Sequence, residues 1–246
     1  MLERLTRWHH SLNDRLFARG AYLKEYAAEL ERSLGGRRVH IGCGDGTTLA
    51  RYANVPATTI ALDLSHDSLL RNRGTRRVAG DATKLPFAGA TVDLVHCEHV
   101  LEHLADPAAL MAEVSRVLKP GGRFVFVTPN AWSYVAIAAR AVPLRLRHTL
   151  IERLRGQPST ADNHPTFYRA NSARRLRRLT CGGGLDLVRL DGYVSEPSYT
   201  TGLPVVHLFA IAWHRLLECS RMNRALGITL VGVVQKPEQI TAPCAE

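Results

Sequence analysis

The chain has 246 residues, with 32 Lys plus Arg against 22 Asp plus Glu and a formal net charge of +10. A hydrophobic fraction of 46 % and a charged fraction of 22 % exclude a disordered, collagen-like or coiled-coil chain. At roughly 150 residues per domain the length predicts a single domain over 1–246 with elaborations, and no apolar run reaches the ~20 residues that span a bilayer.

Residues 1–36 read as a helical segment. Leu23, Tyr26, Ala27, Leu30 and Leu34 recur at helical spacing before Gly35-Gly36. The polar N-terminus, with Glu3, Arg4, Arg7, His9 and His10, lacks the apolar core of a secretory signal, so the expected location is cytoplasmic. Strand and helix then alternate. A strand over Arg38–Ile41 runs into Gly42-Cys43-Gly44-Asp45-Gly46, and a helix over Thr47–Tyr52 follows. Next come a strand over Thr59–Leu64, a helix over Ser65–Asn72 with Ser65 as N-cap, and a short strand over Arg77–Ala79. Val92–Cys97 reads as a buried strand and Pro107–Leu118 as a helix with Pro in its first turn. Lys119-Pro120-Gly121-Gly122 is a predicted turn, and Arg123–Val127 a strand covered on both faces. This alternation predicts a doubly wound α/β sheet.

After Pro129 the rhythm breaks. Residues 131–170 are basic and irregular; Asn171–Leu179 reads as helix, and Leu185–Leu190 and Ile228–Val234 as strands. The intervening 192–226 is a second elaboration. Its apolar Val205–Leu217 helix, with Phe209 and Trp213, is expected first to pack into the core, with cover of an acceptor pocket or contact with lipid as the alternatives. Five cysteines (Cys43, Cys97, Cys181, Cys219, Cys244) form no C-x-x-C, which argues against a disulfide framework or zinc ribbon.

The glycines at 42, 44 and 46 permit a tight turn and close approach of main chain to a ligand, and the next helix N-terminus offers free N–H groups. Asp63, at the end of the second predicted strand, is placed to accept both hydroxyls of a ribose, although a turn or helix-cap role fits it too. Together they point to a nucleoside-containing cofactor.

Further blocks choose among such cofactors. In order they are VHIGCGDGTTL, ALDLS, GDATKLPF, ATVDLVHCEHVLEHL and EVSRVLKPGGRFVFVTPN, across residues 39–130. In these the sequence resembles the class I S-adenosylmethionine-dependent methyltransferases, in their small-molecule subgroup. The resemblance implies a Rossmann-like, mostly parallel seven-stranded sheet with an antiparallel last strand. Residues 37–130 would be the cofactor-binding core, and 131–170 and 192–226 a cap over the acceptor site. It implies S-adenosylmethionine as cofactor. Gly42, Cys43, Gly44 and Gly46 would line its methionine and ribose side, and Asp63 would bind the ribose hydroxyls. Leu64 would pack on the adenine, Asp81 would accept from its amino group, and Ala82 would donate from the main chain. Cys97, Glu98 and His99 would lie at the tip of the fourth strand, facing the reacting methyl. One position departs from the family: His40 stands where an acid usually helps hold the methionine ammonium.

An oxygen or nitrogen acceptor needs a positioned base. His99 has the position. His164, within Asp162-Asn163-His164-Pro165-Thr166-Phe167-Tyr168, resembles an element of quinone-type O-methyltransferases. A cap role for His99 and a loop role for His164 are the structural alternatives. His99-Val100-Leu101-Glu102-His103 also matches H-x-x-E-H, a zinc-protease pattern, but it sits between methyltransferase blocks and no metal is expected.

Between Arg140 and Arg178 there are ten Arg and two acids, Glu152 and Asp162. A solvated Arg-biased face, an anionic substrate, a peripheral membrane contact and nucleic acid all fit that charge. The expected function is methyl transfer to a small-molecule acceptor, anionic or lipid-linked, at a hydroxyl of a sugar, glycolipid or lipid-like metabolite. The rivals are an RNA methyltransferase using 140–178 and a non-catalytic cofactor-binding partner subunit. Cys97-Glu98-His99 is not the Asn/Asp-Pro-Pro-aromatic element that handles base amino groups, which speaks against RNA.

Overall fold

Helix α1 (Ala21–Arg32) turns Leu23, Tyr26, Ala27 and Leu30 inward, the helical stripe its spacing predicts. In this computed structural model the residues described are 21–32, 35–50, 56, 58–74, 76–134, 136–137, 165–194, 204–219 and 226–238. The chain divides into two compact units, one of residues 23–129, 165–191 and 230–246, the other of 1–22, 130–164 and 192–229.

The larger unit carries most of the sheet. After α1 come β1 (Arg38–Ile41), α2 (Thr47–Ala50), β2 (Ile60–Asp63), α3 (His66–Arg71), β3 (Arg76–Ala79) and β4 (Val92–Glu98). A 3-10 turn (Leu101–His103), α4 (Pro107–Val117), β5 (Leu118–Pro129), α5 (Ala173–Gly182) and β6 (Asp186–Tyr193) follow. The last elements are α6 (Pro204–Cys219) and β7 (Thr229–Gln235). The seven strands lie in the order β3-β2-β1-β4-β5-β7-β6. The β1–β2, β1–β4, β2–β3 and β4–β5 pairs are parallel. β7 runs antiparallel to β5, since Asn130 N bonds Ile228 O while Lys236 N bonds Gly122 O. Both the doubly wound class and the antiparallel last strand expected from sequence are present.

Caps form where the sequence places them. Ser65 accepts from Ser68 N at the start of α3, and Asp106 from Ala108 N and Ala109 N at α4. The core lies between β4, β5 and α4, where Val92, Leu94, Val95, Phe124, Phe126, Leu110, Met111 and Val114 are wholly buried. These near-continuous apolar runs are what a sheet covered on both faces requires. A Cβ at Gly232 of β7 would lie 2.2 Å from the Phe126 ring, so glycine there makes room for the phenyl group.

Two sequence expectations need correction. Lys119–Gly122 is not a free turn but a bulged stretch inside β5. The register steps from Val92–Leu118 to Leu94–Arg123, and Gly121 N bonds Lys236 O. Gly121, at φ 76°, absorbs the extra residues. The apolar helix is not simply a core helix either. In α6 His207, Ile211, His214 and Leu217 are buried, whereas Val205, Val206, Leu208, Phe209, Trp213 and Leu216 are exposed. Tyr134 Oη bonds His214 Nε2 at 2.5 Å, so the buried stripe is partly polar. Among the described residues no helix is long and apolar enough to cross a membrane. The basic stretch 138–164, with His164, lies outside the described residues, as does the N-terminal segment 1–20.

Candidate functional site

The sheet order reverses between β1 and β4, and such a switch point opens a crevice at the carboxyl ends of the strands. The loop after β1 is there. Gly42, Gly44 and Gly46 adopt φ of 67°, 52° and 77°, in the left-handed region that glycine reaches without strain. A Cβ at Gly42 would lie 2.3 Å from Val100 Cγ2.

Two side chains clamp this loop. Asp63, at the end of β2, accepts from Gly44 N at 2.7 Å through Oδ2 and from Ser65 N at 2.8 Å through Oδ1. The turn role and a position beside the loop are thus realised together, and each oxygen keeps a second lone pair. Buried Asn72 donates Nδ2 to Gly44 O at 2.9 Å and accepts from Gly74 N at 2.8 Å. Sequence reading missed Asn72, which carries no motif; its partner is 28 residues away. Leu64, beside Asp63, is 77 % exposed. Past β3, Asp81 accepts both Thr83 N and Thr83 Oγ1 on Oδ1, each at 2.8 Å. Ala82 and Cys43 are buried, and burial, with the Asp63 charge, pushes the Cys43 thiol up to about 12.

Beneath the loop is a polar seam. His40 on β1 pairs in register with His96 on β4, and their rings stack 4.4 Å apart. Tyr26 Oη of α1 bonds His96 Nδ1 at 3.1 Å. Burial pulls His40 down to about 4 against the opposing pull of Asp63, and lowers His96 as well, so both rings are neutral at pH 7.

The tip of β4 holds the titratable groups. The Cys97 thiol is wholly buried in the apolar core, so only its main chain is available at the strand end. Glu98 has a buried Oε1 with no hydrogen-bond partner, and burial raises its carboxyl pKa against the opposing charge of His99. His99 is held at φ 54°, a strained value for a residue with a β-carbon, by its N–H bond to Val127 O. It is not the N-cap of the 3-10 turn; Val100 occupies that position and makes no side-chain cap hydrogen bond. Half of its side chain is exposed, and Nδ1 bonds Glu102 Oε1 at 3.1 Å. Burial opposes the imidazolium, but the Glu102 bond and the charges of Glu102 and Glu98 outweigh it and raise its pKa.

Glu102 is itself anchored in the interior. Its Oε2 accepts from Thr128 Oγ1 at 3.1 Å, and Thr128 Oγ1 accepts from Asn171 Nδ2 at 2.6 Å. Its carbonyl accepts from Phe167 N and Tyr168 N, and Tyr168 is a second strained residue, at φ 52°. His99-x-x-Glu102 was the available sequence signal for this pair. Thr128 and Asn171 had none, because they join it only through packing. His103 spends Nδ1 on Pro165 O.

The site thus offers oxygen acceptors at Asp63 and Asp81, an exposed apolar side chain at Leu64, a turn with exposed main chain, and an unpaired buried carboxylate oxygen at Glu98. A nucleoside bearing a cationic tail is complementary to that set, which fits S-adenosylmethionine.

Comparison with known proteins agrees. Residues 39–126 match the methyltransferase domain family. The chain is 31 % identical over 180 residues to a ubiquinone biosynthesis O-methyltransferase of Methylococcus capsulatus, covering 67 % of this chain and 70 % of that one. It is 32 % identical over 193 residues to a demethylmenaquinone methyltransferase of a Mycobacterium species, covering 71 % and 82 %. It spans only 34 % of a 37.1 kDa Streptomyces fradiae protein that it matches at 35 % identity over 118 residues. An S-adenosylmethionine-dependent methyltransferase structure from Thermotoga maritima superposes with TM-score 0.58 over 96 % of each chain at 19 % identity, a likeness of fold. Family match, relatives of comparable length and strand order converge: the chain belongs to the class I S-adenosylmethionine-dependent methyltransferases.

Proposed function

We propose that this enzyme methylates a hydroxyl oxygen of a small lipid-like acceptor, with His99 as the general base. The observation that carries the reading is the His99–Glu102 pair at the tip of β4. A hydroxyl must lose its proton as it attacks a methyl group, and a positioned imidazole contributes about 10²–10⁴-fold to such a step. Glu102 engages Nδ1, which leaves Nε2 to take the proton. The raised pKa makes that nitrogen a stronger base, and the buried Glu102–Thr128–Asn171 chain keeps the ring from turning.

S-adenosylmethionine supplies an activated methyl on a sulfonium, so the protein's task is binding and alignment. Asp63 would accept the ribose hydroxyls on its remaining lone pairs, Asp81 the adenine amino group, and Ala82 would donate from its main chain. Leu64 would cover the adenine face. The main chain of Gly42, Cys43, Gly44 and Gly46 would line the ribose and methionine portion. Residues 131–170 and 192–226 would select the acceptor, with His164 a second candidate base.

The lipid-like acceptor is favoured by two relatives named for ubiquinone and menaquinone chemistry, and by the exposed apolar residues of α6. The test is transfer of labelled methyl to a panel of hydroquinols, sugar lipids, free sugars and RNA. The expected result is a labelled O-methyl product from a lipid-like hydroxyl, with kcat about 10²–10⁴-fold lower in His99→Gln and unchanged cofactor affinity. The wild-type rate is expected to rise with pH through the raised His99 pKa and then level, because only neutral His99 accepts a proton. Label appearing only on RNA, or a fully active His99→Gln, would sink the reading.

A further inference from the structure

We propose that Glu98 is the carboxylate that binds the cofactor's methionine ammonium, taking the place of the acid that His40 does not provide. The assignment rests on the cofactor reading above and concerns the tail of the ligand rather than its nucleoside.

S-adenosylmethionine carries an ammonium group that loses water on entering a crevice, and a desolvated cation needs an anion or several carbonyls. At the β1–β4 edge His40 cannot serve. It is buried and neutral, its ring lies against His96, and an imidazole offers no negative charge. Glu98 can. Successive side chains of a strand alternate between faces, so Glu98 lies on the same face as His96, and His96 is the register partner of His40. The register ends at Ile41–Cys97, so one step on Glu98 comes level with Gly42, the first residue of the loop.

The state of the carboxylate agrees. Buried acceptors in folded proteins are nearly always paired, and an unpaired one calls for an explanation. Glu98 Oε1 is buried and without a partner, next to main chain that bends away through φ 67° at Gly42. An incoming ammonium would supply the missing donor together with the missing charge. His99, one residue on, has its Nδ1 committed to Glu102.

Calorimetric titration of wild type and Glu98→Gln with three ligands tests this. S-adenosylhomocysteine has the ammonium but no sulfonium, S-adenosylmethionine has both, and 5′-methylthioadenosine has neither. In Glu98→Gln both amino-acid-bearing ligands are expected to bind about 10- to 100-fold more weakly, from the loss of one charge-assisted bond. 5′-Methylthioadenosine should bind unchanged. The ratio of affinities is the readout, so partial unfolding, which weakens all three alike, cannot mimic it. Glu98→Asp, which keeps the charge on a shorter stem, should fall between. Equal weakening of all three ligands, or of none, overturns the proposal. So does weakening confined to S-adenosylmethionine, which would place Glu98 at the sulfonium. A wild-type protein that binds none of them would instead overturn the cofactor site itself.

Discussion

The seam between β1 and β4 and the helix α6 each bury a pair of histidines beside a tyrosine, yet they treat their apolar neighbours in opposite ways. In the seam, His40 and His96 lie with Tyr26 among strands whose Val39, Ile41, Val95 and Cys97 are wholly or almost wholly buried. In α6, His207 and His214 are buried, His214 on Tyr134, while Phe209 is 73 % exposed and Val205, Trp213 and Leu216 are exposed with it. A strand in the middle of a parallel sheet is covered on both faces, so every side chain is inside whatever its polarity. A helix can bury a single stripe, and in α6 that stripe is His207, Ile211, His214 and Leu217, which the residue composition alone does not single out. α6 therefore leaves aromatic residues at the surface, whereas the seam shelters its polar rings inside, His96 bonded to Tyr26 and His40 stacked on His96.

The largest effect that would break this contrast is at the seam side. Phe126→Ala removes a wholly buried ring packed on Gly232 and should cost about 3–5 kcal/mol in urea unfolding. A cost under 1 kcal/mol would mean that the sheet core is not packed as described.

Acid probes the histidines. His40 falls to about 4 in the fold from 6.5, so between those values the unfolded chain binds more protons and stability drops as pH falls. The loss from pH 7 to pH 4 should be roughly 3 kcal/mol from His40, and it should shrink in His40→Gln. An unchanged acid profile in that variant would show that the seam is hydrated.

Asp63→Ala should weaken S-adenosylhomocysteine binding by roughly 1–3 kcal/mol in calorimetry, because it removes the brace on Gly44 together with the proposed ribose contact. Unchanged affinity would take Asp63 out of the site. The smallest effect sharpens the other side of the comparison. Phe209→Ser should alter stability by no more than about 0.5 kcal/mol, while lowering the rate on a lipid-like acceptor. A cost near that of Phe126→Ala would return α6 to the core.

Much of the site was legible because glycines, caps and strand-end acids are local signals. Gly42-x-Gly44-x-Gly46, Ser65 and Asp63 sit where their neighbours in sequence predict. The Asn72 brace and the Glu102–Thr128–Asn171 chain were not legible, since each joins residues tens of positions apart through packing alone. The Lys119–Gly122 stretch misled for a related reason: Pro and Gly read as a turn, but the partner strand that makes it part of β5 is supplied by distant Lys236.

By itself, then, the sequence determined the alternation of strand and helix, the glycine turn, the nucleoside-type site and the family, because these depend on periodicity and on residues a few positions apart. Only the tertiary structure decided that His40 is a neutral stacked ring, that His99 is tied to a buried glutamate, that Glu98 is left unpaired, and that α6 shows its aromatic face. Those properties depend on which side chains the parallel register brings level, on how much water each retains, and on burial too non-local for residue spacing to record.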